Sequence, residues 1–267
     1  MNPPATSRPA HPVALVTGAS SGLGEAIARA LAKEGFHLAL GARRLDRVQA
    51  LASELAADHG VRTWAAAVDT RDTVSVRAFV DGAASALGAL HVIVANAGLA
   101  RGLDKVWEIP DADLEAMLRT NVEGVVKTIR FALPHVRAAG WGHVVFIGST
   151  AGHVAYEGGG VYCASKHGVK ALAHALRLEL CGEPIRVTSV DPGMVRTEFS
   201  NVRFAGQADA DARADAVYRG MTPLEAGDIA ECVRWAVQLP NRVNIDELIV
   251  KPRDQASHHG GKVFRRD

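Results

Sequence analysis

Three polar residues in the middle of the chain have the types and the spacing that proton transfer to a small ligand requires. Tyr162 and Lys166 are four positions apart, and Ser149 precedes Tyr162 by thirteen positions. On a helix, residues four apart share one face, where an ammonium group favours the phenolate and lowers the pKa of the tyrosine. Ser149 follows the apolar run 143–147, which is typical of a buried strand. Since open parallel sheets bind ligands at strand ends, the three residues predict a site for proton exchange with a bound substrate.

The elements that must position these side chains are predicted by the hydrophobic pattern. We expect strands at residues 13–16, 37–40, 62–67, 91–94, 143–147, 185–190 and 247–250. We expect helices at residues 22–33, 45–58, 73–87, 111–139, 160–180 and 225–238. This alternation predicts an α/β protein, a single-domain doubly wound Rossmann fold in which helices flank a parallel seven-stranded sheet.

Length and composition agree with one domain. The chain has 267 residues, of which 48% are hydrophobic, and no shift in composition divides it. We expect the Rossmann domain at residues 13–250. Residues 1–12 contain four prolines and predict a flexible N-terminal arm, and residues 251–267 are expected to form a C-terminal tail.

Charge and cysteine content exclude several classes of partner. The net charge of +1 provides no long-range field that would attract nucleic acid or an acidic membrane. No apolar stretch is long enough to span a bilayer. The three cysteines and eleven histidines show no metal-ligand spacing, which suits a metal-free protein of a reducing compartment. We therefore expect a cytoplasmic protein with a small-molecule ligand.

A glycine-rich turn connects the first predicted strand to the first predicted helix. It runs from Thr17 to Gly24 with the spacing G-x-x-x-G-x-G. Glycines at such a turn let the backbone approach a pyrophosphate, and the unpaired N–H groups of the helix favour an anion. The spacing departs from the general G-x-G-x-x-G pattern, so an ordinary strand-to-helix turn is the alternative.

Two arginines follow the second predicted strand, where sites for NAD usually have an acidic residue. Arg43 and Arg44 offer planar bidentate donors that suit a ribose 2′-phosphate. This predicts a preference for NADP over NAD. The alternative is that one or both arginines are solvated charges at the start of a helix.

In combination these motifs resemble the short-chain dehydrogenases/reductases, over nearly the whole chain after residue 13. The resemblance is carried by the turn of residues 17–24, Asn96-Ala97-Gly98, Asn121, Ser149 with Tyr162 and Lys166, Asp69, and Pro192-Gly193 with Thr197. It implies an NADP(H)-dependent oxidoreductase whose catalytic residues are Asn121, Ser149, Tyr162 and Lys166. Ser149 and Tyr162 would also contact the substrate.

The resemblance further implies the residues that hold the cofactor. They are Gly18, Ser20, Ser21, Gly22, Leu23, Gly24, Arg43, Arg44, Asp69, Thr70, Asn96, Ala97, Gly98, Tyr162, Lys166, Pro192, Gly193, Val195 and Thr197. Lys166 would hold the nicotinamide ribose, and Asn121 would support a water that passes protons to solvent. The family usually forms homotetramers through the helices near 111–139 and 160–180.

Within the family, three segments are similar to the NADP-dependent 3-hydroxy acid dehydrogenases, which include serine dehydrogenases. They are residues 147–152, 158–162 and 197–204, the last within an expected substrate lid at about 194–220. Arg101 stands where that subgroup is expected to have an apolar residue. A substrate carboxylate would be met by a cation, for which Arg101, Arg196 and Arg203 are candidates.

The leading hypothesis is hydride transfer between nicotinamide and a small 3-hydroxy acid or its semialdehyde. Tyr162 would take the alcohol proton in oxidation and return one in reduction, while Ser149 and Tyr162 donate hydrogen bonds to the substrate oxygen. One alternative is a carbonyl reductase of broad specificity, which Arg101 favours. An alternative of another class is a nucleotide-sensing binding protein with little catalysis.

Overall fold

The computed structural model describes residues 8–256. Most of the predicted N-terminal arm and of the C-terminal tail, including His258 and His259, lies outside the described residues. Residues 8–12 lead directly into the first strand.

One parallel sheet forms the centre of the molecule. Its strands are β1 (Val13–Thr17), β2 (His37–Ala42), β3 (Thr63–Ala67), β4 (Val92–Ala95), β5 (Gly142–Ile147), β6 (Ile185–Pro192) and β9 (Glu247–Val250). They lie in the order β3-β2-β1-β4-β5-β6-β9. The order reverses between β1 and β4, which is where doubly wound folds bind ligands. The predicted seven-stranded sheet is confirmed, and each expected strand lies within two residues of its observed position.

Helices cover both faces of the sheet. They are α1 (Gly22–Lys33), α2 (Leu45–His59), α3 (Thr73–Leu87), α4 (Asp111–Leu118), α5 (Gly124–Ala139), α6 (Gly160–Glu179) and α9 (Ala226–Gln238). On one face Ile27 of α1 and Val233 of α9 join the hydrophobic core. On the other face Phe79 of α3, Val136 of α5 and Val169 of α6 do so. Strands buried on both faces explain why their sequences are nearly all apolar.

The long helix predicted at residues 111–139 is interrupted. Between α4 and α5 the backbone forms a π-helical turn over Arg119–Glu123. Such turns are rare in proteins, and those that occur are often at functional sites. Asn121 lies in the middle of this turn and is 1% exposed. The hydrophobic pattern predicted the helix, but it contained no signal for the extra residue that a π-helical turn inserts between backbone hydrogen bonds.

Short elements between β6 and α9 stand apart from the main sheet. They are β7 (Val195–Arg196), α7 (Phe199–Phe204), α8 (Ala210–Ala216) and β8 (Leu224–Glu225). Strands β7 and β8 pair in parallel through Val195 with Leu224 and Arg196 with Glu225. Together these elements occupy the 194–220 segment and its continuation to α9.

None of the helices between residues 8 and 256 combines the length and the apolar character that crossing a membrane requires.

Candidate active site

A cleft of about 1330 Å³ lies at the edge of the sheet where its strands end. It is lined by residues from the ends of strands β1 to β6 and by the 194–220 segment. Of the residues predicted to bind cofactor or substrate or to act in catalysis, all line this cleft except Gly24 and Asn121. The structure therefore brings together in one cleft side chains that lie more than 150 positions apart in the chain.

Lys166 is buried in the site, next to Gly98 of the loop after β4. Its Nζ donates a hydrogen bond to the carbonyl oxygen of Ile147 at 2.8 Å. A Cβ atom placed on Gly98 would lie 3.6 Å from this Nζ. Burial lowers the pKa of Lys166 to about 8, and the charge of Asp191 partly opposes that shift. The lysine is therefore a group that titrates near neutral pH.

Tyr162 is buried one helical turn before Lys166, and its ring packs 5.7 Å from the ring of Phe199. Burial raises the pKa of Tyr162, and the neighbouring Tyr156 adds to this shift, whereas a hydrogen bond with Ser149 opposes it. The expectation that Lys166 lowers the tyrosine pKa is wrong for this structure, in which the pKa of Tyr162 is raised. The physical reason is that the loss of water around the phenol outweighs the opposing interactions.

Ser149 follows β5 directly, as predicted. Its Oγ accepts a hydrogen bond from the backbone N–H of Ala151 at 3.1 Å and lies 3.5 Å from the carbonyl oxygen of Pro192. These contacts hold the hydroxyl at the strand end, between β5 and β6. From there it faces the cleft together with Tyr162.

Asn121 connects two elements of the site. Its Nδ2 donates to the carbonyl oxygen of Leu99 at 2.8 Å and to Ser165 Oγ at 3.0 Å. Its Oδ1 accepts the N–H of Leu99 at 2.8 Å. These hydrogen bonds fix the loop after β4 against α6, and Asn121 does not line the cleft within the described chain.

The glycine-rich turn is shaped for close approach of a ligand to the backbone. Gly18 and Gly22 have positive φ angles of 69° and 58°, which a side chain would strain. A Cβ atom on Gly18 would also lie 2.9 Å from Asn96 Nδ2. That amide donates to the carbonyl oxygen of Thr17 at 2.8 Å and so braces the turn. Helix α1 begins at Gly22, so its first N–H groups are available to an anion such as a pyrophosphate.

Arg44 is positioned over the glycine-rich turn by four hydrogen bonds. Its guanidinium contacts Ser20 Oγ twice, at 3.1 and 3.0 Å, and Ser21 Oγ at 2.6 Å. Its Nη1 also pairs with Glu198 at 2.9 Å, and Arg47 pairs with the same carboxylate at 2.8 Å. These guanidinium groups lower the pKa of Glu198 to about 2. Arg43 lines the cleft beside them and is exposed.

Asp69 and Thr70 line the cleft at the end of β3. The Asp69 carboxylate accepts hydrogen bonds from Nε and Nη2 of Arg71, at distances from 2.6 to 3.1 Å. Thr70 is buried, and its side chain lies against Gly124 of α5. Contacts with Arg71 and with Gly124 therefore orient the side chains of Asp69 and Thr70.

The three arginines considered for a substrate carboxylate have different positions. Arg101 donates to the carbonyl oxygen of Val202 at 2.6 Å and does not line the cleft, as far as residues 8–256 show. Arg196 stacks over the ring of Tyr218 at 4.9 Å, and its side chain is 59% exposed. Arg203 lines the cleft, and its Nε donates to the carbonyl oxygen of Gly102 at 2.8 Å. In return, the Gly102 N–H donates to the carbonyl oxygen of Arg203 at 2.9 Å.

Among the cleft residues that were not predicted are Tyr156, Glu198 and Gln255. Tyr156 lines the cleft beside Tyr162, six positions before it in the chain. The Gln255 side chain accepts the N–H of Met194 at 2.9 Å and lines the cleft from beyond β9. Neither Gln255 nor Glu198 has a sequence pattern that indicates its position, because tertiary contacts place both.

The chain matches a model of the short chain dehydrogenase family over residues 12–208. A relative from Mycobacterium tuberculosis, described as an uncharacterized oxidoreductase, is 46% identical over 92% of each chain. Sulfoacetaldehyde reductase 2 of Chromohalobacter salexigens is 40% identical, over 91% of this chain and 95% of the relative. The NADP-dependent 3-hydroxy acid dehydrogenase YdfG of Escherichia coli is 37% identical, over 95% of this chain and all of the relative.

A solved structure of serine dehydrogenase in its closed form, complexed with NADP⁺, is similar throughout. It has a TM-score of 0.85 and 36% sequence identity, over 96% of this chain and all of that chain. The resemblance seen in the motifs is therefore confirmed over nearly the whole length.

Proposed function

Because the chain belongs to the short-chain dehydrogenase family, we propose that it is an NADP-dependent oxidoreductase acting on a small 3-hydroxy acid or its semialdehyde. The observation that carries this proposal is the position of Ser149, Tyr162 and Lys166 in one cleft, beneath the 194–220 segment. Relatives support the substrate class, since one is named for 3-hydroxy acids and another structure is of a serine dehydrogenase.

The residues of the cleft fit a phosphorylated dinucleotide. The turn at Gly18 and Gly22 would hold the pyrophosphate, Asp69 and Thr70 would lie near the adenine, and Arg43 and Arg44 would meet the 2′-phosphate. When bound, the nicotinamide supplies a hydride acceptor or donor at C4. The preference for NADP is supported by the arginines at the end of β2 and by the NADP⁺ named in the serine dehydrogenase complex.

Tyr162 and Ser149 would carry out the proton chemistry. In reduction Tyr162 donates its proton to the oxygen of the carbonyl substrate, and in oxidation the phenolate takes the proton of the alcohol. Ser149 donates a hydrogen bond to the same oxygen, on which charge develops during the reaction. The ammonium of Lys166, held by the Ile147 carbonyl, supplies positive charge near the cofactor ribose.

The direct test is an assay of the purified protein with NADP⁺ and each of L-serine, L-threonine, 3-hydroxyisobutyrate and 3-hydroxypropionate. We expect the absorbance of the reduced nicotinamide to rise with at least one of them. No turnover with any of the four would remove the substrate assignment, and a parallel panel of uncharged aldehydes and diketones would then identify a carbonyl reductase.

The carbonyl reductase alternative depended on Arg101 altering the pocket. Since Arg101 binds the backbone of Val202 and lies outside the described lining of the cleft, that argument no longer favours it. The nucleotide-sensing alternative is disfavoured by the intact set of Ser149, Tyr162 and Lys166 in the cleft.

We expect a homotetramer in the cytoplasm, on the family resemblance. Large apolar side chains are exposed on α4, α5 and α6, at Leu118, Val126 and Leu178. Contacts between copies through these helices would cover them. Sedimentation equilibrium of the purified protein tests the oligomeric state.

A further inference from the structure

Arg203 brings a positive charge to the cleft beside the tyrosine of the site. Its guanidinium carbon lies 5.9 Å from the centroid of the Tyr162 ring and 5.7 Å from that of Tyr156. The same residue lines the cleft with Ser149 and with the apolar side chains of Leu99 and Phe199. A ligand whose oxygen reaches Ser149 and Tyr162 would therefore lie close to this cation.

The three nitrogens of Arg203 have different partners. Nε donates to the carbonyl oxygen of Gly102 at 2.8 Å, and Nη1 donates to the Tyr156 hydroxyl at 3.1 Å. Nη2 is buried and has no hydrogen-bond acceptor among residues 8–256. A buried donor of a charged group is costly to leave without an acceptor, so we expect a bound water, ion or ligand oxygen at this nitrogen.

Other charged groups that line the cleft already have partners or solvent. Arg44 pairs with Glu198, and Arg71 pairs with Asp69. Arg213 donates to Gln207 at 2.6 Å. The carboxylate of Glu157 belongs to an exposed residue. Arg203 therefore combines a buried donor without a protein acceptor with direct proximity to Tyr162.

The geometry points to an anion subsite formed by Arg203 Nη2 and the Tyr156 hydroxyl, which receives the carboxylate or sulfonate of the substrate. This inference deepens the proposed function and rests on it. The Tyr156 oxygen accepts a hydrogen bond from Arg203, so its own proton is available to the bound anion. The Gly102 carbonyl holds the guanidinium in place before the ligand arrives. The subsite would thus select substrates that carry an anionic group in addition to the carbinol, and it would disfavour neutral alcohols.

The test compares charged and neutral ligands of the same size in Arg203→Met and Arg203→Lys. Calorimetry would measure the binding of propanoate, ethanesulfonate and propanamide to the protein saturated with NADP⁺. Turnover would be measured with 3-hydroxypropionate, with 2-hydroxyethanesulfonate and with the neutral propane-1,3-diol. The two anions in each arm distinguish a carboxylate site from a sulfonate site.

We expect Arg203→Met to weaken propanoate binding and to lower kcat/KM for the hydroxy acid, each by about 10- to 100-fold. This is the loss typical of a hydrogen bond to a charged group. The Kd for NADP⁺ should change by less than about threefold, and activity with propane-1,3-diol should fall much less than activity with the hydroxy acid. Arg203→Lys should recover part of the loss. Tyr156→Phe should show a smaller loss that is again confined to anions. The matched control is Arg196→Met, an exposed arginine of the same segment, which should behave as the parent protein.

Equal losses for the acid and the diol in Arg203→Met would overturn the subsite, since they would indicate a structural role. Propanamide binding the parent protein as tightly as propanoate and ethanesulfonate would also overturn it. Failure of the proposed function is a separate result: the parent protein would oxidise none of the hydroxy acids, and the binding arm would still decide on the subsite. NADP⁺ affinity reports whether each variant is folded.

Discussion

At the scale of single residues, burial changes the proton affinity of the two central side chains in opposite directions. The pKa of Tyr162 is raised and that of Lys166 is lowered to about 8, because in each case the charged form loses water. Near neutral pH the tyrosine is therefore a neutral phenol, ready to donate a proton in reduction. Oxidation requires the phenolate and is favoured by alkaline conditions.

A first prediction concerns the pH dependence of the two directions. Reduction needs the phenol, which persists up to the raised pKa, and the charge of Lys166, which is lost as pH rises through about 8. We therefore expect kcat/KM for reduction to fall above about pH 8 and kcat/KM for oxidation to rise with pH across the neutral range. Tyr162→Phe is the control: it should abolish turnover in both directions while the Kd for NADP⁺ stays unchanged. Substantial turnover in that variant would contradict the role of the phenol.

A second prediction concerns the choice of cofactor. Arg43→Ala removes a guanidinium that has an exposed, unobstructed position at the end of β2. We expect it to weaken NADP⁺ binding by about 10-fold or more, as for a lost hydrogen bond to a charged group, with little effect on NAD⁺. Fluorescence titration with both dinucleotides measures this. Equal weakening of both would show that Arg43 does not meet the 2′-phosphate.

At the scale of elements, Glu198 connects α2 to the 194–220 segment through Arg44 and Arg47. Its carboxylate is paired with the guanidinium of Arg44, with which the 2′-phosphate would also pair. A third prediction is that Glu198→Gln binds NADP⁺ about two- to fivefold more tightly, with NAD⁺ affinity unchanged. The effect is modest because exposed ion pairs contribute about 0–1 kcal/mol. Glu183→Gln, which removes a comparable pair with Arg137, serves as the control; weaker NADP⁺ binding in Glu198→Gln alone would refute the competition.

The elements also show where sequence reasoning succeeds. All seven strands of the main sheet were predicted, and so were the helices on its faces except for the interruption between α4 and α5. Burial on both sides imposes apolar runs on the strands and a periodic apolar stripe on the helices. Ser149, Tyr162 and Lys166 were predicted from their types and spacing, whereas most of the cofactor residues followed from the family resemblance. The prediction did not resolve β7, α7, α8 and β8, which are short.

Tertiary contacts explain what was missed. The position of α7 depends on one backbone and one side-chain hydrogen bond between Arg203 and Gly102, which lies in a loop 101 residues earlier. The role of Asn121 depends on Leu99 and Ser165, which its own helix does not reveal. The pKa of Tyr162 depends on how completely the fold removes water, and the spacing to Lys166 contains no measure of that.

At the scale of the whole molecule, buried histidines make stability depend on pH. His143 is fully buried in β5, and its Nε2 lies 2.7 Å from Thr188 Oγ1. Burial holds the pKa of His143 well below its usual range, and the charge of Arg186 adds to this. In the folded protein the ring stays neutral, whereas the unfolded chain takes up a proton below about pH 6.5. Stability from this group is therefore present above that pH and is lost as the pH falls.

A fourth prediction follows for unfolding by urea. The urea concentration at the midpoint of unfolding should decrease when the pH is lowered from 8 to 5.5. His143→Gln, which retains a polar partner for Thr188, should show a smaller decrease than the parent. His59→Gln, at an exposed position in the last turn of α2, should leave the pH dependence unchanged. An identical pH dependence in the parent and His143→Gln would assign the effect to other groups.

Two hydrogen bonds between Gly102 and Arg203, one between their backbones and one from the Arg203 side chain, fasten the loop after β4 to α7 together with the bond from Arg101 to Val202. A grafted 194–220 segment that lacks Arg203 would lose the side-chain bond to Gly102, and a shift of its backbone would weaken the other two bonds unless residues 101–102 were exchanged with it. The two stretches form one module for protein engineering, even though a hundred residues separate them in the gene product.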